Sequence, residues 1–85
     1  MSADIVMPKL SDTMEEGTIL KWLKQVGDTV AAGEVIAEVE TDKADMELEA
    51  AEGGVLSAIH VPAGESAAVG AVIGVLDGGD ARQDG

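Results

Sequence analysis

The chain has 85 residues, 46% of them hydrophobic, which is enough for one small domain with a marginal core. A formal net charge of -12 and a single aromatic residue, Trp22, exclude the basic surface and the stacking platform that nucleic-acid binding requires. With no cysteine, the chain itself can supply no disulfide, thiolate nucleophile or sulfur ligand.

The sequence shows no membrane-spanning pattern and no signal peptide. Its apolar runs are too short to cross a bilayer, and its N-terminus lacks a charged start followed by an apolar stretch. We therefore predict a soluble, intracellular, monomeric domain without a membrane partner. Its acidity favours contacts with basic protein surfaces.

The first predicted strand covers residues 3–7 and leads into a polar segment that begins with a proline. Residues 3–16 are five residues longer than residues 44–52, which repeat them later in the chain. The extra length, the proline, and the apolar Leu10 and Met14, both expected to be exposed, favour a surface loop with a binding role. An ordinary tolerated insertion would explain the same features. The candidate loop consists of Pro8, Lys9, Leu10, Ser11, Asp12, Thr13 and Met14.

The remainder of the first half, residues 16–39, recurs in the second half with apolar and glycine positions in the same order. Each half indicates short strands separated by glycine-containing turns, and two units are too few for a solenoid. The sequence therefore predicts an all-β fold: a flattened β-sandwich, or barrel-sandwich hybrid, of two quasi-symmetric halves. The repeat matches Glu16-Gly17-Thr18-Ile19-Leu20 with Glu52-Gly53-Gly54-Val55-Leu56, Asp28-Thr29-Val30 with Glu65-Ser66-Ala67, and Ala3-Asp4-Ile5 with Ala44-Asp45-Met46.

A hairpin is predicted between the halves, with the lysine at its tip. Residues 35–39 and 46–50 alternate between apolar and polar on either side of a polar break, which is typical of two strands with one buried face. With Asp42 and Lys43 as the central turn residues, burial favours one register. Its apolar pairs are Val39 with Met46, Ala37 with Leu48, and Val35 with Ala50.

The same register places Glu40 opposite Asp45 and Glu38 opposite Glu47, although like charges across a ladder are unfavourable. A solvated acidic face would explain each of these carboxylates by itself. The alternative is that a partner recognises one ammonium group on an acidic hairpin. Carboxylates favour the charged form of Lys43, whereas a lysine base or Schiff-base nucleophile needs a desolvated site or a second cation. Lys43 is therefore predicted to be an attachment point and not a catalyst.

Other candidate sites are weaker. His60 has no serine, cysteine or second histidine placed for a triad and is predicted to lie on a surface strand, and Trp22 is predicted to be a packing residue. No phosphate loop is evident, because no lysine and no helix follow the glycines. We expect no catalytic residue and no turnover from the isolated domain. We also expect no metal site, because the spacing of a calcium loop is missing from Asp42, Asp45, Glu47 and Glu49.

The pseudo-twofold symmetry has a consequence for the chain ends. It maps the lysine turn onto the gap between the last strand and the first, so the termini are expected at the end of the domain opposite Lys43. The domain is predicted to cover residues 1–77. Residues 78–85 are polar and glycine-rich and are expected to form a tail or the start of a flexible linker.

In the lysine turn and the glycine-containing segments, the chain resembles the lipoyl domains of 2-oxo acid dehydrogenase complexes. The likeness covers about residues 4–76, and residues 7–18 look most like the pyruvate dehydrogenase branch, with acetoin dehydrogenase domains as close relatives. Its most specific parts are Glu40-Thr41-Asp42-Lys43-Ala44, Gly27-Asp28-Thr29-Val30, Gly33 and Glu52-Gly53-Gly54.

The resemblance implies that Lys43 carries lipoic acid as a side-chain amide, added by a ligase or by octanoyl transfer and sulfur insertion. It implies a swinging-arm carrier that takes acetyl groups and electrons from a thiamine-diphosphate-dependent dehydrogenase and delivers the acetyl group at an acyltransferase core. A dihydrolipoyl dehydrogenase would then reoxidise the arm. The parent chain would be the acetyltransferase or another subunit with this domain, in a bacterial cytoplasm or, after removal of a targeting segment, in the mitochondrial matrix.

The resemblance also implies a set of recognition residues. In the family, partner enzymes choose their domain partly by the residues that flank the lysine and by the loop before the second strand. Carried onto this chain, these are Glu40, Thr41, Asp42, Ala44 and the loop from Pro8 to Met14.

Two alternatives stay open on the sequence. Biotin-carrier domains resemble the same fold and modify a lysine at a hairpin tip, but methionines usually flank that lysine, whereas Asp42 and Ala44 flank Lys43. The other alternative is a structural or interaction module without a cofactor, in which Lys43 is only a turn residue.

Overall fold

The computed structural model describes residues 2–78, and these form two four-stranded antiparallel sheets that enclose one apolar core. The first sheet has the order β1 (Ser2–Val6), β8 (Val72–Gly78), β6 (Gly54–Ile59) and β3 (Thr29–Val30). The second has the order β5 (Asp45–Glu49), β4 (Val35–Glu40), β2 (Glu16–Trp22) and β7 (Ser66–Ala68). The predicted all-β, flattened sandwich is confirmed. No helix that could span a membrane occurs among residues 2–78.

The two sheets are related strand for strand, as the internal repeat predicted. β1, β8, β6 and β3 correspond in order to β5, β4, β2 and β7. The backbone hydrogen bonds of the connections follow the same symmetry, at 2.7–2.8 Å between nitrogen and oxygen. Equivalent pairs are Gly33 N to Ala50 O with Gly70 N to Met7 O, and Gly27 N to Leu56 O with Gly64 N to Ile19 O.

The structure corrects the alignment of the repeat. Gly17 pairs with Ala67 and Gly54 with Val30, so Gly17 corresponds to Gly54 and not to Gly53. Because the second copy has two adjacent glycines, the alignment of the two copies was ambiguous by one residue.

The predicted alignment of the first strand of the repeat is wrong as well, by two residues. Ile5 lies opposite Gly74 and Leu48 opposite Ala37, so Ile5 corresponds to Leu48 and not to Met46. Acidic and apolar residues alternate along both strands, so a slip of two residues preserves the pattern and cannot be detected from it.

A β-bulge changes one predicted strand pair. The pairs Val39 with Met46 and Ala37 with Leu48 are confirmed, but Val35 lies opposite Glu49 and not opposite Ala50. The register shifts between Val35 and Ala37, which makes Ile36 the extra residue. Because of this bulge the consecutive residues Ile36 and Ala37 are both buried, at 1% and 0% exposure.

The core lies between the sheets and is made of aliphatic and methionine side chains. Partly buried residues, among them Trp22 and Leu10, pack against its rim. The buried members are Ile5, Met7, Met14, Ile19, Val30, Ile36, Ala37, Val39, Leu48, Ala50, Leu56, Ala67, Ile73 and Leu76.

Ser2 and Gly78, the first and last described residues, lie at the end of the domain away from the lysine turn. β5 starts beside the turn and runs away from it for five residues, about 17 Å of extended chain. Where β5 ends, Leu48 and Ala50 share a cavity of about 170 Å³ with Ala3 and Leu76 of the terminal strands. Asp77 lies opposite Ser2, and Gly78 still belongs to β8. The rest of the expected linker, residues 79–85, lies outside the described residues.

Candidate functional site

The lysine turn, residues 41–44, is closed by the hydroxyl of its first residue. Thr41 Oγ1 accepts hydrogen bonds from the backbone amides of Lys43 at 3.2 Å and Ala44 at 3.1 Å, and it donates to the carbonyl of Ala44 at 2.6 Å. The Thr41 amide also donates to that carbonyl at 3.0 Å. One threonine therefore bonds two amides and one carbonyl of the turn from within.

Backbone conformation sets this turn apart from the common two-residue hairpin. Such hairpins favour turns with positive φ at one or both central residues, which explains their preference for glycine and asparagine. Asp42 and Lys43 both have negative φ, since all the positive-φ residues described are glycines. Negative φ suits Asp and Lys, but the twist of such a turn matches the flanking strands less well, and the side-chain hydroxyl of Thr41 supports it.

Lys43 is exposed at the tip of the hairpin, as predicted. Its neighbours Asp42 and Ala44 are exposed as well, and Thr41 is half-buried. Within residues 2–78, the structure pairs Lys24 with Glu34 at 2.7 Å and gives Lys43 no carboxylate partner. The ε-amino group is thus accessible to another protein or to a reagent.

The strands that carry the turn have an acidic outer face, in the predicted register. Glu40 lies opposite Asp45, and Glu38 lies opposite Glu47. On its other side Glu38 faces Lys21 of β2, which puts one cation in the row. A basic protein surface would complement this face electrostatically.

The candidate loop, residues 8–14, lies beside the lysine turn, but it is less exposed than expected. Met14 was predicted to be exposed and is 3% exposed, so that prediction was wrong. Its side chain enters the core, where a Cβ on Gly17 would come within 2.7 Å of the methionine Cε. The Met14 sulfur also accepts a hydrogen bond from the amide of Leu10, which is only half-buried, at 3.2 Å. A methionine in an irregular loop has no periodicity from which burial could have been predicted.

The loop contacts the turn through the carboxylate of Asp42. The Ser11 hydroxyl donates to Asp42 Oδ1 at 2.6 Å, and the Thr13 hydroxyl donates to Asp42 Oδ2. We refer to these two hydrogen bonds as the Asp42 contact. Hydrogen bonds from Ser11 and then Thr13, with a smaller contribution from the charge of Lys43, lower the pKa of Asp42 below its ordinary value.

Lys9 and Asp12 form the exposed side of this loop, whereas Pro8 is half-buried like Leu10. A shallow depression of about 250 Å³ is lined by Lys9, Leu10, Ser11 and Asp12. The structure therefore brings together both groups of predicted recognition residues, namely those that flank Lys43 and those of the 8–14 loop. Sequence reasoning missed the link between them. Its one visible signal was the pair of hydroxyl residues at positions 11 and 13.

The minor candidates lie away from this region. Trp22 packs against the core, and its indole nitrogen donates to the carbonyl of Val61 at 2.9 Å. His60 is exposed, but it lies just after the end of β6 and not on a strand. No group of three carboxylates or histidines is placed to hold a metal ion within residues 2–78.

Comparison with known proteins identifies the family. The model of the biotin/lipoyl family, described as "biotin-requiring enzyme", matches residues 3–76. The solution structure of the lipoyl domain of the Azotobacter vinelandii 2-oxoglutarate dehydrogenase complex is 34% identical, with a TM-score of 0.72. That likeness covers 89% of this chain and 96% of the other. This chain belongs to the lipoyl domains.

Other relatives agree with this lipoyl assignment. The lipoyl domain of the Escherichia coli dihydrolipoyl succinyltransferase is also 34% identical, over 93% of this chain and 99% of that one, with a TM-score of 0.72. The acetyltransferase component of the Zymomonas mobilis pyruvate dehydrogenase complex is 53% identical over 89% of this chain. The E1 component subunit beta from Rhizobium meliloti is 51% identical over 99% of it. This lipoyl domain spans 18% and 19% of those two proteins.

Proposed function

We propose that Lys43 is the attachment point of a lipoyl group and that the domain is the swinging-arm carrier of a pyruvate dehydrogenase complex. The observation that carries the proposal is the position of Lys43. It is an exposed lysine at the tip of a hairpin, in a chain with the fold and the sequence of lipoyl domains.

The residues present fit a covalently attached lipoyl group. Formation of the amide requires that Lys43 Nζ lose a proton and attack an activated acyl carbon, from which the activating group then leaves. An exposed amine at a turn held by Thr41 meets the need for access. When attached, the group supplies a disulfide that can be reduced and a thiol that can carry an acyl group. The domain cannot trap that thiol in a mixed disulfide, because it contains no cysteine.

We propose the pyruvate branch because relatives that are more than half identical to this chain come from it. Two acetyltransferase components of pyruvate dehydrogenase complexes, from Zymomonas mobilis and Rhizobium meliloti, are 53% and 56% identical. The partners would be the thiamine-diphosphate-dependent dehydrogenase, the acetyltransferase core, the dihydrolipoyl dehydrogenase and the lipoylating enzymes. Attachment through the end opposite Lys43 would let the turn reach each of them at a high effective concentration. Such a complex would lie in the bacterial cytoplasm or the mitochondrial matrix.

Two kinds of parent chain are candidates. Acetyltransferase relatives match 89% of this chain, whereas the E1 subunit beta relative matches 99% of it, including most of the segment after β8. That longer match favours an E1 subunit beta as a specific alternative parent. The gene sequence downstream of residue 85 distinguishes the two parents.

The test of attachment is the intact mass of the domain after incubation with a lipoylating enzyme and a lipoyl donor. We expect one lipoyl amide on the wild type and none on Lys43→Arg. Lys21→Arg replaces an exposed lysine of the same sheet and is the control, so it should be modified fully at Lys43. A biotinyl mass on protein from its natural source, or a lipoyl mass on Lys43→Arg, would refute the proposal.

The recognition role of the loop is a separate part of the proposal. Lys9 and Asp12 are exposed, whereas Met14 anchors the loop in the core, so the first two can be replaced without removing that anchor. We expect Lys9→Ala/Asp12→Ala to slow reductive acetylation by the cognate dehydrogenase while leaving lipoylation unchanged. An unchanged rate of reductive acetylation would count against these two residues.

A further inference from the structure

Both carboxylate oxygens of Asp42, the residue immediately before Lys43, are held by another part of the chain. Oδ1 accepts from Ser11 and Oδ2 from Thr13, across 31 and 29 residues of sequence. An aspartate in a turn often uses its carboxylate to bond backbone amides of the same turn. Here Thr41 bonds the turn amides of Lys43 and Ala44, and the Asp42 carboxylate is directed to the loop.

The loop that supplies the two hydroxyls is fixed independently of Asp42. Met7 and Met14, at its two ends, are 1% and 3% exposed. The Met7 amide donates to Ala71 at 2.9 Å, and the Met14 amide donates to Ser11 at 3.2 Å. Ser11 and Thr13 therefore present their hydroxyls from a segment anchored in the core.

A fixed Asp42 restricts the lysine turn in two ways. It ties the turn laterally to the loop, whereas Thr41 holds it only from within. It also engages the carboxylate that is adjacent to Lys43 in sequence, so this carboxylate does not close over the ε-amino group. Side-chain restraint of this kind lowers the ordering cost when an enzyme binds the turn.

We propose that Ser11 and Thr13 are positioning residues for Lys43. They hold Asp42 so that the lysine turn is presented in one orientation to the enzyme that acylates it. This inference rests on the proposed function, since it concerns how the same lysine is recognised.

The first test measures the contact itself, on the unmodified domain. In Ser11→Ala/Thr13→Val the Asp42 carboxylate loses both donors, so NMR titration should show its pKa rising toward the ordinary value. Thr18→Val/Ser66→Ala is the matched control. It removes another pair of bonded hydroxyls, 2.8 Å apart on the same sheet, and should leave the pKa of Asp42 as in the wild type.

The second test measures acylation of Lys43 by a lipoylating enzyme. For Ser11→Ala/Thr13→Val we expect kcat/KM to fall about tenfold, mainly through KM, as for the loss of one or two modest hydrogen bonds. Thr18→Val/Ser66→Ala should match the wild type. Ser11→Thr/Thr13→Ser keeps both hydroxyls and should restore most of the rate, which a loss due only to general destabilisation would not predict.

The outcomes separate this inference from the proposed function. An unchanged Asp42 pKa in Ser11→Ala/Thr13→Val would show that the hydroxyls do not hold the carboxylate, and a raised pKa with unchanged acylation would show that the contact does not position the lysine. Either result overturns the inference and leaves the carrier function standing. A wild-type domain that is not acylated at Lys43 would overturn the carrier function, and this inference with it.

Discussion

The lysine turn and the gap between the chain ends occupy equivalent places in the two halves of the sandwich. Glu40 and Asp45 are the last strand pair before the turn, and Asp77 and Ser2 are the corresponding pair beside the gap. The backbone pairing of the two regions is alike. What distinguishes the end with the lysine turn must therefore be the four residues of the turn and the side chains around it.

The outer faces of the two strand pairs differ in charge. Glutamates on β4 and β5 form the acidic face beside Lys43, whereas two of the four equivalent positions on β8 and β1 are valines and the other two are aspartates. Neither set enters the core, so the fold tolerates both. The correspondence is Glu38 with Val75, Glu47 with Asp4, and Glu49 with Val6.

The adjoining connections differ in length. Nine residues separate Met7 from Gly17 in the first half, whereas three separate Ala50 from Gly54 at the equivalent place in the second. Only the longer connection includes the hydroxyls that reach Asp42. The two halves therefore differ around the lysine turn in one loop and in surface charge, whereas their strand pairing is nearly the same.

The largest expected effect comes from giving the second half a lysine turn of its own. Asp77 and Ser2 would be joined by a copy of residues 41–44, and the chain would be opened between Ala63 and Gly64, an exposed turn where new termini are tolerated. Lys43 should be fully lipoylated and the inserted lysine hardly at all, because the inserted turn lacks the long loop and its strands have valines at two of the four glutamate positions. Mass spectrometry of proteolytic peptides distinguishes the two lysines.

The control for this permutant is the same chain with Lys43→Arg, which reports on the inserted lysine alone. Equal modification of the two lysines would mean that the four turn residues suffice, and that the differences between the halves do not matter for lipoylation.

A second comparison concerns the equivalent glycines of β2 and β6. A Cβ on Gly54 would lie 2.5 Å from the backbone carbonyl of Asp77, whereas one on Gly17 would lie 2.7 Å from the ends of the Met14 and Val39 side chains. Side-chain ends can move more easily than a paired strand. We expect Gly54→Ala to lower the free energy of unfolding by about 3 kcal/mol and Gly17→Ala by about 1–2 kcal/mol, measured by urea denaturation.

Exposed Glu52, two residues before Gly54, provides the control, since Glu52→Ala should have almost no effect. If Gly17→Ala were the more damaging variant, the Met14 anchor would be more rigid than its flexible side chain suggests.

The sequence was sufficient to predict the repeat, the hairpin and most of its register, because alternation is a direct consequence of one buried face. It could not predict the bulge at Ile36, since a single extra residue leaves an apolar run that looks continuous. The alignment of the repeat was wrong by one residue for a related reason, because Gly53 and Gly54 match Gly17 equally well in the sequence.

The candidate site was predicted only in its parts. Lys43 stood out because it is one cation among carboxylates, and the 8–14 loop stood out by its length. The burial of Met14 and the bonds from Ser11 and Thr13 to Asp42 depend on contacts between distant segments, and nothing in the local pattern encodes them. Only the folded chain shows that the loop and the turn form one surface.

A smaller effect is expected from the threonine inside the turn, which has no counterpart at the chain ends. Thr41→Val leaves the amides of Lys43 and Ala44 without their side-chain acceptor and should lower the free energy of unfolding by about 1 kcal/mol. Hydrogen exchange at those two amides should accelerate as well. Thr41→Ser keeps the hydroxyl and should behave like the wild type. A stable Thr41→Val variant with unchanged exchange would mean that the strands alone define the turn.

The smallest effect is expected where an ion pair of the first half, Lys24 with Glu34, has an apolar counterpart in the second. The turn bonds Glu34 N to Ala31 O and Ala71 N to Ala68 O are equivalent, at 3.0 and 2.9 Å, so Glu34 corresponds to Ala71. In the first half Lys24 lies 2.7 Å from Glu34, and by the same correspondence Val61 takes the place of Lys24. Val61 and Ala71 instead pack against the core.

Replacing Lys24 by the valine of the other half tests whether this pair matters for stability. The hydrogen bond from Lys24, and then that from the Ala31 amide, lowers the pKa of Glu34 in the folded state. A lowered folded-state pKa stabilises the fold above the unfolded value of about 4.3 and loses that effect as the pH falls through the folded value. Lys24→Val should therefore raise the pKa of Glu34 in an NMR titration and lower the urea midpoint slightly at pH 7. Glu34→Gln keeps an acceptor for the Ala31 amide and separates the charge from that hydrogen bond.

Salt distinguishes the ion pair from packing. Because exposed pairs are screened, 1 M salt should remove most of the difference in urea midpoint between Lys24→Val and the wild type at pH 7. A difference that persists in salt and acid would instead assign the effect to packing of the lysine stem.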